Sequence, residues 1–258
     1  MISQMNFFER IIYILERYGT SYLKGAGTTL VIAVVSTVIG CLIGFAAGII
    51  QTIPIDKQRD PLIKRALLRV VWGILNVYVE VFRGTPMIVQ AVFIYYGMSQ
   101  LFNIQLGMWQ SAFLVVSINT GAYMAESVRG GIISVDPGQM EGAKAIGMNH
   151  VQAMTNVILP QAFRNILPQI GNNLIINIKD TSVLSVISIV DLFFVHKSVS
   201  GALYTYFESA TIVMLIYLTM TVVTSRLLRL LESRLDGDEN YEMADLMDIG
   251  TQLGKKRA

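Results

Sequence analysis

Long apolar runs alternate with short charged connectors along the chain. Thr28 to Ile50, Gly84 to Ala125 and Ser209 to Ser225 contain no charged residue. An apolar run of roughly 18 or more residues without charge is long enough to cross a bilayer as a helix. The pattern predicts spans over about 28–51, 67–101, 111–132, 165–193 and 207–230. Gly84 and Pro86 interrupt the second of these. Proline removes a helix hydrogen bond and clashes with the preceding turn, which predicts a broken helix rather than a steeply tilted one. Before the first span, Phe7, Phe8, Ile11, Ile12, Leu15, Tyr18 and Tyr22 share one helical face, opposite Glu9, Arg10, Glu16 and Arg17. That segment reads as an amphipathic helix in the membrane interface, or as one packed on a soluble partner. The expected architecture is all-α: an interfacial helix over 1–24, about five transmembrane helices over 25–232, and a polar tail over 233–258.

Composition agrees with this pattern. The 258 residues are 53% hydrophobic and 15% charged, against about 25% charged in soluble domains. The net charge of +2 carries no nucleic-acid signal. A single cysteine, Cys41, excludes an internal disulfide and reads as a small buried filler. The first apolar run begins late and has no cleavage site before it, so no signal peptide is expected. No internal repeat supports an inverted-repeat transporter.

Charge placement sets the orientation. The 52–69 connector holds Lys57, Arg59, Lys64, Arg65 and Arg69, whereas the 102–110 connector holds no Lys or Arg. The 133–164 connector holds Lys144 and Arg164, and Arg226, Arg229 and Arg234 follow the last span. The positive-inside rule places these segments and the C-terminus in the cytoplasm, and the N-terminus outside.

The 133–164 connector is large enough to have its own structure. Asp136-Pro137 is a helix start, with Gln139 placed to complete a capping box. Gly147 is placed to end that helix in a left-handed cap, and Asn149 to cap a second one. Pro160 and Pro168 are expected to bend the chain into the fourth span. A helix–turn–helix bearing exposed apolar residues suits docking of a soluble partner.

At this point the sequence resembles a known family. Glu141-Gly142-Ala143, then Gly147, then Val157-Ile158-Leu159-Pro160 resembles the Glu-Ala-Ala motif of ABC importer permeases, with its spacing kept throughout. Gly142 departs from Ala and Val157 from Ile; the glycine weakens the short helix by about 1 kcal/mol. Arg83-Gly84-Thr85-Pro86 with Gln90, Ala122 to Glu126 with Arg129 to Ile132, Leu159 to Ala162, and Lys179 to Ser182 resemble the polar amino-acid branch. Val183 stands where that branch usually has Leu. The resemblance implies a type I importer transmembrane domain in the prokaryotic cytoplasmic membrane. It implies a second permease subunit, identical or related, two ATPase subunits that hold ATP and Mg, and an extracytoplasmic amino-acid-binding protein. It implies that Glu141, Gly142, Ala143, Gly147, Leu159 and Pro160 dock the ATPase.

Polar groups inside the spans are the remaining candidates, since each ionised one costs about 2.5–3.5 kcal/mol to insert. Glu80 with Arg83, and Glu126 with Arg129, are spaced to pair within a helix, either as register-holding ion pairs or as a gate. In the fourth span Gln169, Asn173, Asn177 and Asp180 form a polar stripe flanked by Lys179. The stripe either bonds neighbouring helices or lines a substrate path. His150 and His196 are isolated and read as solvated surface residues. No P-loop and no His-Glu-x-x-His metal motif occurs, so ATP binding, metal and covalent chemistry are not expected of this chain. The rival readings are a permease for another solute, a channel-like or scaffold subunit, and an intramembrane enzyme using Glu126, Asp180 or His196.

Overall fold

The computed structural model describes residues 5–56, 58 and 60–235, and it is helical with no strand among them. The acidic tail falls almost entirely outside the described residues. Helix α1 runs Phe7–Thr52, α2 Leu62–Gly84, α3 Met87–Val92 and α4 Met98–Phe102. Helix α5 runs Met108–Ile133, α6 Pro137–Ala145, α7 His150–Ala153 and α8 Leu159–Asp180. Helix α9 runs Leu192–Leu203 and α10 Tyr206–Leu235. A π-helical turn, Phe93–Gly97, joins α3 to α4, and another, Met154–Ile158, joins α7 to α8. By length and hydropathy two described helices could cross a bilayer unaided, Phe7–Gln51 and Tyr206–Arg234. Helices α5 and α8 are long enough but carry buried polar residues.

The largest departure from the sequence reading is at the N-terminus. Residues 7–22 and the first span are one helix of 46 residues, not an interfacial helix followed by a span. Asn6 and Glu9 form a capping box at its start. Gly25 does not break it, because the glycine is needed for packing: a Cβ there would lie 3.0 Å from the Asp191 carbonyl and the Leu192 Cα. Of the expected apolar face, Tyr22 is buried with Ile14 against Leu192, Val199 and Ile212, and Ile11 and Tyr18 pack beside them. Phe8 and Ile12 remain exposed.

A seam of small residues holds α1 to α5. Gly40, Gly44 and Gly48 are four apart, so they share a face. A Cβ on them would meet Thr120, Met124 and Val128 at 2.6, 2.3 and 2.7 Å. Helices within a membrane gain little from apolar burial, so close backbone approach supplies dispersion contacts instead. Asn177 of α8 lies across this seam. Its amide donates to Thr37 Oγ1 at 2.7 Å and Thr120 Oγ1 at 2.9 Å.

The fourth span also differs from expectation. Helix α8 ends at Asp180, a 3-10 turn follows over Thr181–Ile187, and Ser188 takes a left-handed conformation. The expected 194–206 connector is mostly helix α9, which Asp191 caps by accepting from the Phe193 and Phe194 amides. Pro168 lies within α8 without breaking it, and Pro160 sits in its first turn after the π-helical turn.

Candidate functional site

The break in the second span occurs where its sequence demands it. Thr85 and Pro86 are extended, and α2 stops at Gly84. The Phe82 carbonyl would ordinarily accept from the amide of residue 86, which proline lacks. Gln90 Nε2 replaces that donor at 2.9 Å and also donates to the Thr85 carbonyl and hydroxyl. Asn119 of α5 donates to the same Phe82 carbonyl and to Gln90 Oε1. The break is therefore a built feature with its hydrogen bonds satisfied. Gln90→Met should orphan part of it, lowering stability by about 1–3 kcal/mol. Thermal unfolding of the detergent-solubilised chain should show this as a lower midpoint than wild type.

Beside the break lies a cavity of about 450 Å³, lined by Arg83, Thr85, Asn119, Tyr123, Asn173, Asn177 and Asp180 among others. A second, of about 520 Å³, shares Arg83 and adds Asn76, Glu80, Glu126 and Arg129. The two form neighbouring polar spaces on the α2–α5–α8 side of the bundle.

The ion pairing differs from the expectation of two intrahelical pairs. Arg83 of α2 pairs with Glu126 of α5, and its guanidinium lies 5.3 Å from the Tyr123 ring centre. Glu80 and Arg129 form no ion pair with the described residues. Near this pair, Gly121 lets α2 and α5 approach closely. A Cβ there would sit 2.7 Å from the Tyr78 hydroxyl, which donates to the Ile118 carbonyl. That hydrogen bond joins α2 to α5, the same two helices that the Arg83–Glu126 pair joins.

The polar stripe of the fourth span divides. Asn173, Asn177 and Asp180 line the 450 Å³ cavity. Asn173 and Asn177 are also buried and bonded, Asn173 to the Gln169 carbonyl at 2.9 Å and Asn177 across the small-residue seam. These two amides thus bond neighbouring helices and also face the cavity. Lys179 belongs to a different groove, with Phe193, His196 and Tyr217.

His196 is not a solvated surface residue. It is 2% exposed and lies in α9, its Nδ1 2.9 Å from the Ser209 hydroxyl, which also bonds the Tyr22 hydroxyl at 2.7 Å. Ser209 is fully buried. His150 is half-buried, and Asn119, Thr37 and Thr120 were not singled out in the sequence. An amide in the middle of an uncharged span, as at Asn119, is the signal that would have found one of them.

The connector has the expected shape with one change. Asp136 Oδ1 accepts from the Gly138 amide at 2.7 Å, with Pro137 in the first turn. Gln139 does not complete a capping box; its side-chain oxygen faces Gln161. Gly147 has φ +89°, and the Gly147 and Met148 amides donate to the Lys144 and Ala143 carbonyls. This is the Schellman arrangement. Asn149 and Gln152 form a capping box on the next helix. Of the docking candidates, Glu141, Gly142, Gly147 and Pro160 are exposed, Leu159 is half-buried, and Ala143 is buried and anchors the helix. Ile146 and Val151 flank the turn and are 76% and 67% exposed, giving it an apolar tip.

Comparison with known proteins gives one consistent answer. Residues 65–237 match the family described as binding-protein-dependent transport system inner membrane component. The arginine transport system permease protein of Bacillus subtilis (strain 168) is 33% identical over 84% of this chain and 93% of its own length. The glutamine transport system permease protein of Escherichia coli (strain K12) is 34% identical over 83% of this chain and 92% of its own. Among solved structures, an amino acid ABC transporter crystallised with histidines superposes with a TM-score of 0.76 at 34% identity, covering 90% of this chain and 99% of that one. An inward-facing form of the MetNI methionine ABC transporter has a TM-score of 0.70 at 19% identity, covering 85% and 98%, and shares the fold.

Proposed function

Because the chain belongs to the family of binding-protein-dependent transport system inner membrane components, we propose that it forms half the pore of an ATP-driven importer for a polar amino acid. The observation that carries the substrate class is the cavity beside the helix break. Arg83 and Asp180 bring opposite charges to one space whose other polar groups include the amides of Asn119, Asn173 and Asn177. A zwitterion needs a cation for its carboxylate and an anion for its ammonium, and amides supply both donors and acceptors. The relatives named for arginine and glutamine transport are consistent with this choice. No covalent step belongs to the chain.

In this reading the connector containing α6 faces the cytoplasm and docks a separate ATPase subunit that holds ATP and Mg. The double capping makes the helix a rigid lever, and Glu141, Gly142 and the Ile146–Val151 tip are its free surface. A second permease subunit completes the pore, and an extracytoplasmic binding protein delivers the substrate. The N-terminus then lies outside.

Glu141→Lys tests the docking. Glu141 is exposed and has no ion-pair partner among the described residues, so the fold should survive. Reversing an interface charge costs several kcal/mol, so amino-acid uptake and substrate-stimulated ATP hydrolysis of the assembled transporter should both fall at least about tenfold. Both unchanged, with normal assembly, would remove Glu141 from the coupling surface.

A further inference from the structure

A third cavity, of about 440 Å³, lies at the root of the docking connector; it shares no lining residue with the 450 Å³ cavity and shares Gln51 and Arg129 with the 520 Å³ one. It lies where α1 and α5 end, at Thr52 and Ile133, and α6 and the π-helical turn close its other side. Its floor is apolar and includes Ile132, Met140, Met154 and Ile158. Arg129, Lys144 and His150 also line it. Neither Arg129 nor Lys144 forms an ion pair with the described residues. Asp136 is the one acid lining it, and one of its oxygens is engaged at the start of α6. Burial first, and then the charges of Lys144 and Lys64, hold the His150 imidazole below its ordinary range. The surroundings of the cavity are thus electropositive even where the imidazole is neutral.

Two cations beside an apolar lining, where α1 and α5 end, match an amphiphile with an anionic head. A soluble acidic peptide would pair with the cations but leave the floor unfilled. A neutral lipid would fill the floor but leave the cations unpaired. We infer that this cavity binds an anionic phospholipid of the cytoplasmic leaflet, its phosphate between Arg129 and Lys144 and an acyl chain along Ile132 and Met140. Both walls contribute, Arg129 from α5 and Lys144 from α6, so the lipid bridges the bundle and the docking helix. The leaflet assignment rests on the proposed orientation; the binding itself does not.

The test uses the full chain in phosphatidylcholine nanodiscs doped with phosphatidylglycerol, with retained lipid counted by mass spectrometry. Wild type should retain phosphatidylglycerol in preference to phosphatidylcholine. Arg129→Gln and Lys144→Gln should each weaken retention about fivefold, the worth of one basic residue at an anionic surface. Lys144→Arg keeps the charge and should retain the lipid, which separates loss of charge from loss of fold. Soluble glycerol phosphate in excess should fail to displace the lipid; displacement would show a simple anion site and overturn the lipid assignment. Equal retention of the two lipids, or full retention by the double Gln variant, would also overturn it. If adding the ATPase subunits expels the lipid, the cavity is part of the protein interface and the proposal fails. Glu141 lies outside this cavity, so Glu141→Lys should lose coupling while keeping phosphatidylglycerol, and the two proposals fail separately.

Discussion

Gly44→Leu should prevent the chain from accumulating as a folded membrane protein, and Gly44→Ala should already lower its stability by about 3 kcal/mol. A β-carbon at residue 44 would stand 2.3 Å from Met124 Cβ and 2.9 Å from the Ala125 amide nitrogen. Part of the obstacle is helix backbone, which cannot rotate aside, so α1 and α5 must separate. Separation also disturbs Gly40 and Gly48 one turn away on each side. It pulls Thr37 from Thr120, and so stretches the two bonds Asn177 makes between them. The loss therefore combines overpacking with a broken buried amide network. Gly27 and Gly73 have open space where a Cβ would go, and Gly27→Ala and Gly73→Ala should be neutral or slightly stabilising. Thermal melting in detergent, with folded yield from membranes, measures all four variants. A Gly44→Ala protein as stable as Gly27→Ala would show that the seam has slack.

How much of this could be read from the sequence depends on the range of the interaction involved. Local chemistry was legible. Asp136, Pro137, Gly147 and Asn149 act within a few residues of themselves, and the connector folds as their order implies. The break at Gly84 and Pro86 is local in the same sense, because proline removes its own donor. Contacts between helices were not legible. A helical wheel compares residues on one helix, so it pairs Arg83 with Glu80, whereas the partner, Glu126, lies on another helix. The separation of residues 7–22 from the first span fails for the same reason: Gly25 admits the start of α9 beside one unbroken helix. Helix α9 itself was hidden because its apolar residues continue those of the fourth span. Asp191 is the one local mark of its start, and its capping role shows only once Phe193 and Phe194 turn back toward it. His196 was misplaced for the same reason: a histidine in a connector is solvated, but one on α9 faces Ser209.

Arg83→Gln should reduce amino-acid uptake about a hundredfold while leaving the fold intact, and Glu126→Gln should not reduce it to the same degree. Arg83 lines both polar cavities and reaches the one that holds Asn173 and Asp180. If its guanidinium receives the substrate carboxylate, deleting it removes a charge-assisted contact worth ~2–3 kcal/mol in a partly desolvated site. Glu126 then acts as a resident carboxylate that occupies Arg83 between turnovers. Removing it frees the cation, so Glu126→Gln should bind substrate at least as tightly as wild type, while transport slows through poorer release. A purely structural ion pair predicts something else. Each single variant would be damaged alike, because each strands one charge, and the double Gln variant would recover. The side chains are 39% and 44% exposed, so stranding either charge costs little, and stability should barely separate the variants. Uptake and substrate affinity of the assembled transporter do separate them. Affinity lost in Arg83→Gln, kept in Glu126→Gln and lost again in the double variant assigns Arg83 to the substrate; recovery in the double variant makes the pair a strut between α2 and α5.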